Sequence, residues 1–129
     1  MRKILIGTAV GVLASALLCG VATAQTEVSV QATRIMSAET VGRTTSGIPI
    51  VDVTLSYTVS LKGLDLAMAA GSAAAEKRVN DAAMAACKEI GRSYPDATPG
   101  DAACAKMAAD KAMVKLHQMV ADAGKAHAK

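Results

Sequence analysis

The sequence predicts an α+β fold in which an N-terminal antiparallel strand pair packs on a disulfide-linked antiparallel helical hairpin. Three observations carry that expectation. Apolar and polar residues alternate without a break from Val51 to Leu61, and the composition then turns abruptly to alanine with apolar residues at helical spacing. Two cysteines, Cys87 and Cys104, flank a break containing Pro95, Pro99 and Gly100 in that alanine-rich part.

The chain opens MRKILIGTAVGVLASALLCGVATAQT. Arg2 and Lys3 precede an apolar run from Ile4 to Val21, which ends in the small residues Ala22, Thr23 and Ala24. A basic start, an apolar middle and an A-x-A end are the three parts of a secretory signal peptide, so residues 1–24 are expected to be removed between Ala24 and Gln25. The alternative is an uncleaved anchor, because the run approaches the roughly 18 residues at which a spanning helix becomes possible. Gly7, Gly11 and the small-residue tail favour removal. Cys19 follows Leu18, which is too large for the motif of a lipidated cysteine, and is expected to leave with the signal. A periplasmic or secreted location follows, with no membrane attachment after cleavage.

Residues 25–129 are then one small domain. The formal charge of +3 falls by the two signal cations to near neutral. No Lys/Arg cluster interleaved with aromatics remains to bind nucleic acid. Aromatic residues make up only 2% of the chain, with no Phe or Trp and with Tyr57 and Tyr94 alone. A core built from small side chains buries less apolar area per residue, at about 25 cal/mol per Å², so a covalent cross-link has much to add.

The first strand is expected over about 28–44, where Val28, Val30, Ala32 and Met36 share a face. Arg34 and Gly42 interrupt that face, and residues 25–45 as a mobile arm are the alternative. The second strand is expected over about 49–61, where Val51, Val53, Leu55, Tyr57, Val59 and Leu61 alternate with Asp52, Thr54, Ser56, Thr58 and Ser60. Ser46 and Gly47 supply turn chemistry between the two strands.

The first helix is expected over about 67–91, with Val79, Ala83, Ala86, Cys87 and Ile90 at spacings of three and four. Asp65 is placed to cap its start and Gly91 to stop it. Pro95 and Pro99 forbid continuation, and Asp101 can cap a second helix over about 101–124. Its stripe is Ala105, Ala109, Ala112, Leu116, Met119, Val120 and Ala123, with residues beyond Gly124 expected to fray. Two such helices joined by a short loop fold back as an antiparallel pair.

Folding back brings Cys87, in the last turn of one helix, to the same end as Cys104, in the first turn of the other. Two thiols left in an exported chain are expected to form a disulfide. The other chemistries find less support. A redox pair takes the form C-x-x-C; a nucleophilic thiol needs a base, and His117 and His127 lie turns away or in the tail. A zinc site needs about four ligands at paired spacings, and no cofactor motif is present. Met107, Met113 and Met119 suggest soft-metal binding. At about 100° per helical residue they point in three directions, which suits gap-filling in a core without aromatics.

The signal peptide, VTLSYTVSLKGLDL, AAGSAAAEKRVNDAAMAAC and AACAKMAADKAMVKL together resemble the UrcA family, small exported bacterial proteins of uncharacterised function. The resemblance covers about residues 50–120 and rests on Tyr57, Leu64-Asp65-Leu66, Ala70-Gly71, Lys77-Arg78, Cys87 and Cys104. The chain departs from the family pattern at Ala67-Met68-Ala69, where a Ser/Thr-Pro helix start is common, and in a longer segment from Tyr57 to Leu64. The resemblance implies an exported domain with no catalytic residue to carry over.

The expected function is therefore that of a non-enzymatic envelope interaction domain without a cofactor. Its partner is another envelope protein or a second copy through an exposed strand edge. The alternative is a periplasmic protein binding a small ligand or a soft metal, linked to envelope stress.

Overall fold

The computed structural model describes residues 26–36 and 51–129. In chain order the elements are β1 (Glu27–Met36), β2 (Val51–Ser60), α1 (Ala69–Ser93) and α2 (Asp101–His127). The signal segment with Ala24 and Gln25, the 37–44 part of the first expected strand, and Ser46-Gly47 lie outside the described residues.

β1 and β2 pair antiparallel, with Val28 opposite Val59, Val30 opposite Tyr57 and Ala32 opposite Leu55. The alternation read from the sequence puts these side chains on one face, toward the helices. The other face carries Ser29, Gln31, Asp52, Ser56 and the Thr33–Thr54 pair, whose hydroxyls lie 3.1 Å apart. The N–H of Leu61 donates to the carbonyl of Thr26 at 2.6 Å. That bond sets the parity of the ladder: even-numbered residues of β1 bond to odd-numbered residues of β2, and the alternate residues turn their backbone groups outward.

The helices form one layer beneath this sheet, α1 packing against both strands and α2 chiefly against β1. The α1 stripe read from the sequence is the buried one, with Ala75 added at its start. On α2 the buried set is Cys104, Ala105, Ala108, Ala109, Ala112, Leu116 and Met119, while Val120 and Ala123 are half-buried. The fully buried side chains of greatest volume include Leu116, Val28, Val30 and Val79, with both cysteines among them. This is a core of small parts, and alanine at facing positions lets backbones come close.

The helix ends differ from those read in the sequence. α1 begins at Ala69 with Met68 as its N-cap residue and no side-chain cap. Asp65 instead closes the preceding turn, its carboxylate accepting from the Ala67 N–H at 3.0 Å and its carbonyl from the Met68 N–H at 3.1 Å. That turn lets Leu64 and Leu66 pack against the core. α1 does not stop at Gly91 but runs to Ser93. Asp101 is the first residue of α2 and Gly100 its N-cap. Gly124 does not end α2 either, since a single glycine costs less than the helical bonds on both sides of it, and the last turn carries Lys125 and His127, suited to the negative end of the helix dipole.

Gly71 has a packing reason. A Cβ there would lie 1.9 Å from the carbonyl oxygen of Asp65, so the first turn of α1 rests directly on the backbone of the Leu64-Asp65-Leu66 turn. Gly-to-Ala in a helix ordinarily stabilises by about 0.5–1 kcal/mol. Here Gly71→Ala is expected to do the opposite, lowering stability by about 2 kcal/mol or more because backbone must move. Urea unfolding of the oxidised protein measures the sign.

Candidate functional site

The chemistry of this chain gathers at the stapled end of the hairpin. Cys87 and Cys104 form the disulfide, their Cα atoms 5.9 Å apart, and both are buried. The staple read from the sequence is present.

Beside it lies a group whose role the sequence reading missed. Arg34, treated there as an interruption of the apolar face, points inward with that face and is only 3% exposed. Its Nε donates to the carbonyl of Pro99 at 2.7 Å, and its Nη1 donates to the carbonyl of Cys87 at 3.1 Å and to Asp101 Oδ1 at 2.8 Å. One side chain of β1 thereby holds the end of α1, the inter-helix loop and the start of α2. A second tie lies alongside, where Ile35 and Thr98 exchange both backbone hydrogen bonds, at 2.7 and 2.9 Å. The period-two pattern contained the signal for Arg34, since residue 34 falls in phase with Val28, Val30 and Ala32.

Gly91 is explained by this arrangement. A Cβ at Gly91 would meet Arg34 Nη1 at 2.6 Å and Asp101 Oδ1 at 2.7 Å. The glycine is an opening through which the ion pair reaches across α1.

An open cleft continues from this clamp along α1, bounded by Tyr57, Lys88, Glu89 and Arg92. The Tyr57 hydroxyl donates to Glu89 Oε2. That bond to a carboxylate is the main cause that raises the Tyr57 pKa above 10.0, because ionising the phenol would place two anions together. A second, more apolar cleft lies at the other end, between Leu61, Leu64 and Leu66 and the last turns of α2, with His127 and Asp65 on its rim. His127 Nε2 and Asp65 Oδ1 are 3.9 Å apart.

Other candidates from the sequence are dispersed. His117 lies on an exposed face of α2 with its Nε2 3.2 Å from Glu76 Oε1. Met107 is exposed, Met113 half-buried and Met119 buried, so the three methionines face apart as their spacing implied. Among the described residues no group of three or more His, Cys, Asp or Glu side chains is placed to hold a metal ion. No described helix is long and apolar enough to cross a membrane. Searches among family models, curated proteins and solved structures find no match to this chain.

Two outcomes follow from the site. Arg34→Leu is expected to cost about 2–3 kcal/mol, because it strands buried carbonyl acceptors as well as a half-exposed carboxylate; Asp101→Asn, which leaves the carbonyl contacts in place, should cost less in the same urea titration. The folded Tyr57 pKa lies above the unfolded one, so the stability from its bond to Glu89 is complete below about pH 10 and is lost as pH rises through the folded value. Absorbance titration of the phenol should show Glu89→Gln lowering the Tyr57 transition toward 10.0.

Proposed function

We propose that this chain is an exported, non-enzymatic interaction domain of the bacterial envelope, acting in the periplasm or after secretion and of the UrcA type. The signal-like N-terminus and the disulfide support export, since such bonds persist in oxidising compartments. The Tyr57, Asp65, Gly71, Cys87 and Cys104 pattern supports the family reading. It gains physical sense from the contact of Gly71 with Asp65 and from the pairing of the cysteines.

The observation that carries the interaction reading is the outer edge of β2. By the parity of the ladder, Asp52, Thr54, Ser56 and Thr58 turn their backbone N–H and C=O groups away from β1, and these groups have no protein partner among the described residues. Such an edge is a template for an added strand.

Intact mass of protein isolated from the envelope tests the premise. The expected chain begins at Gln25 and gains one pair of hydrogens on reduction; an uncleaved chain or two free thiols would overturn export. A photo-cross-linking residue at Thr54 should then capture protein in the envelope, while one at Lys111, on the exposed face of α2, should not. Equal capture at the two positions, or none at Thr54, would remove the interaction reading.

A further inference from the structure

We infer that the occupant of the β2 edge is a second copy of this chain, paired antiparallel through β2 about a two-fold axis at Leu55, so that two sheets become one of four strands. The inference rests on the interaction reading above and names its partner.

The edge of β1 does not invite this. Its inward side chains Val28, Val30 and Ala32 are already fully covered, and one end of the edge is closed by the Ile35–Thr98 bridge. Along β2 the inward side chains Val53, Leu55 and Tyr57 remain half-exposed although they pack against the core. Apolar surface is left over on the β2 side.

Among the described residues β2 also carries few of the usual guards of a strand edge. Its sequence VDVTLSYTVS holds no Lys, Arg or Pro, and its register with β1 runs without a bulge. Arg78 Nη1 donates to the Ser60 carbonyl at 2.8 Å and occupies that end. The outward residues left free, Asp52, Thr54, Ser56 and Thr58, are symmetric about Leu55.

Self-pairing in that register is chemically consistent. Thr54 faces Ser56 of the second copy and Asp52 faces Thr58, so the one charged residue of the strand never meets its own copy. On the inner face Leu55 meets Leu55 and Val53 meets Tyr57. Each outward pair exchanges two bonds, giving about eight backbone hydrogen bonds across the join.

The helices do not close this edge. α1 packs beneath both strands, and two of its long side chains, Arg78 and Glu89, are bonded to Ser60 and Tyr57 of the same copy, with small Ala82 and Ala85 between them.

Sedimentation equilibrium of the oxidised protein, isolated after export of the full chain, tests this. The expected result is a reversible monomer–dimer equilibrium at roughly micromolar concentration. Thr54→Lys and Ser56→Pro should each shift it at least tenfold toward monomer while circular dichroism and the disulfide are unchanged; the proline removes only an outward N–H. For register, mixed Thr54→Cys and Ser56→Cys chains should form a disulfide heterodimer in preference to either homodimer, since those positions face each other within disulfide reach. A protein monomeric at all concentrations, or a dimer indifferent to both edge substitutions, would overturn the self-pairing. If a monomeric protein still gave envelope cross-links from position 54 that Ser56→Pro abolished, the edge would belong to a different protein, and the interaction reading would survive this inference.

Discussion

The arrangement of this domain depends on one buried cation. Arg34 leaves a strand that is otherwise apolar on its inner face and meets three acceptors contributed by three different segments: Cys87 at the end of α1, Pro99 in the loop and Asp101 at the start of α2. A buried charge is costly unless it is paired and hydrogen-bonded. The position of β1 along the hairpin is therefore coupled to the geometry of the loop. A shift of the strand by one residue would turn Arg34 out and bring Ile35 in, losing the clamp and the apolar face together. Gly91 belongs to the same device, because any larger residue would occupy the path of the ion pair.

The disulfide and the clamp act at the same end of the molecule but against different alternatives. The cross-link, spanning 17 residues, restricts the unfolded chain and contributes about 3 kcal/mol on an entropic account. It joins α1 to α2 and says nothing of where the sheet sits. Arg34 and the Ile35–Thr98 bridge add that information. For a core whose greatest fully buried volumes are leucine and valine, and in which alanine does most of the packing, both supplements matter, since small side chains gain less from burial.

The two helices cover the two strands unequally. α2 lies with β1, α1 lies beneath both, and among the described residues no third helix flanks β2. Val28, Val30 and Ala32 are consequently sealed while Val53, Leu55 and Tyr57 stay half-open. The Tyr57–Glu89 and Arg78–Ser60 contacts tie down this side without covering it. Unequal cover is what gives the β2 edge its place in the proposed function.

Much of this was legible in the sequence, because local periodicity reports local structure. The alternation at Val51–Leu61 marked the strand and its inner face, the stripe from Val79 to Ile90 marked α1, and the placement of Cys87 and Cys104 at facing helix ends marked the disulfide. The helix boundaries were less legible: Asp65, Gly91 and Gly124 are residue types common at helix ends, yet one closes a turn, one admits an ion pair and one lies within the helix. Their roles depend on segments distant in the chain. The same holds for Arg34, whose phase placed it inward but whose partners sit 53 to 67 residues away. Sequence by itself determined the elements and their apolar faces, since those follow from patterns repeating every two or three to four residues. Only the tertiary structure decided which backbones touch, where a buried charge finds its acceptors and which strand edge the described residues leave unpaired, because those depend on distances that no local pattern contains.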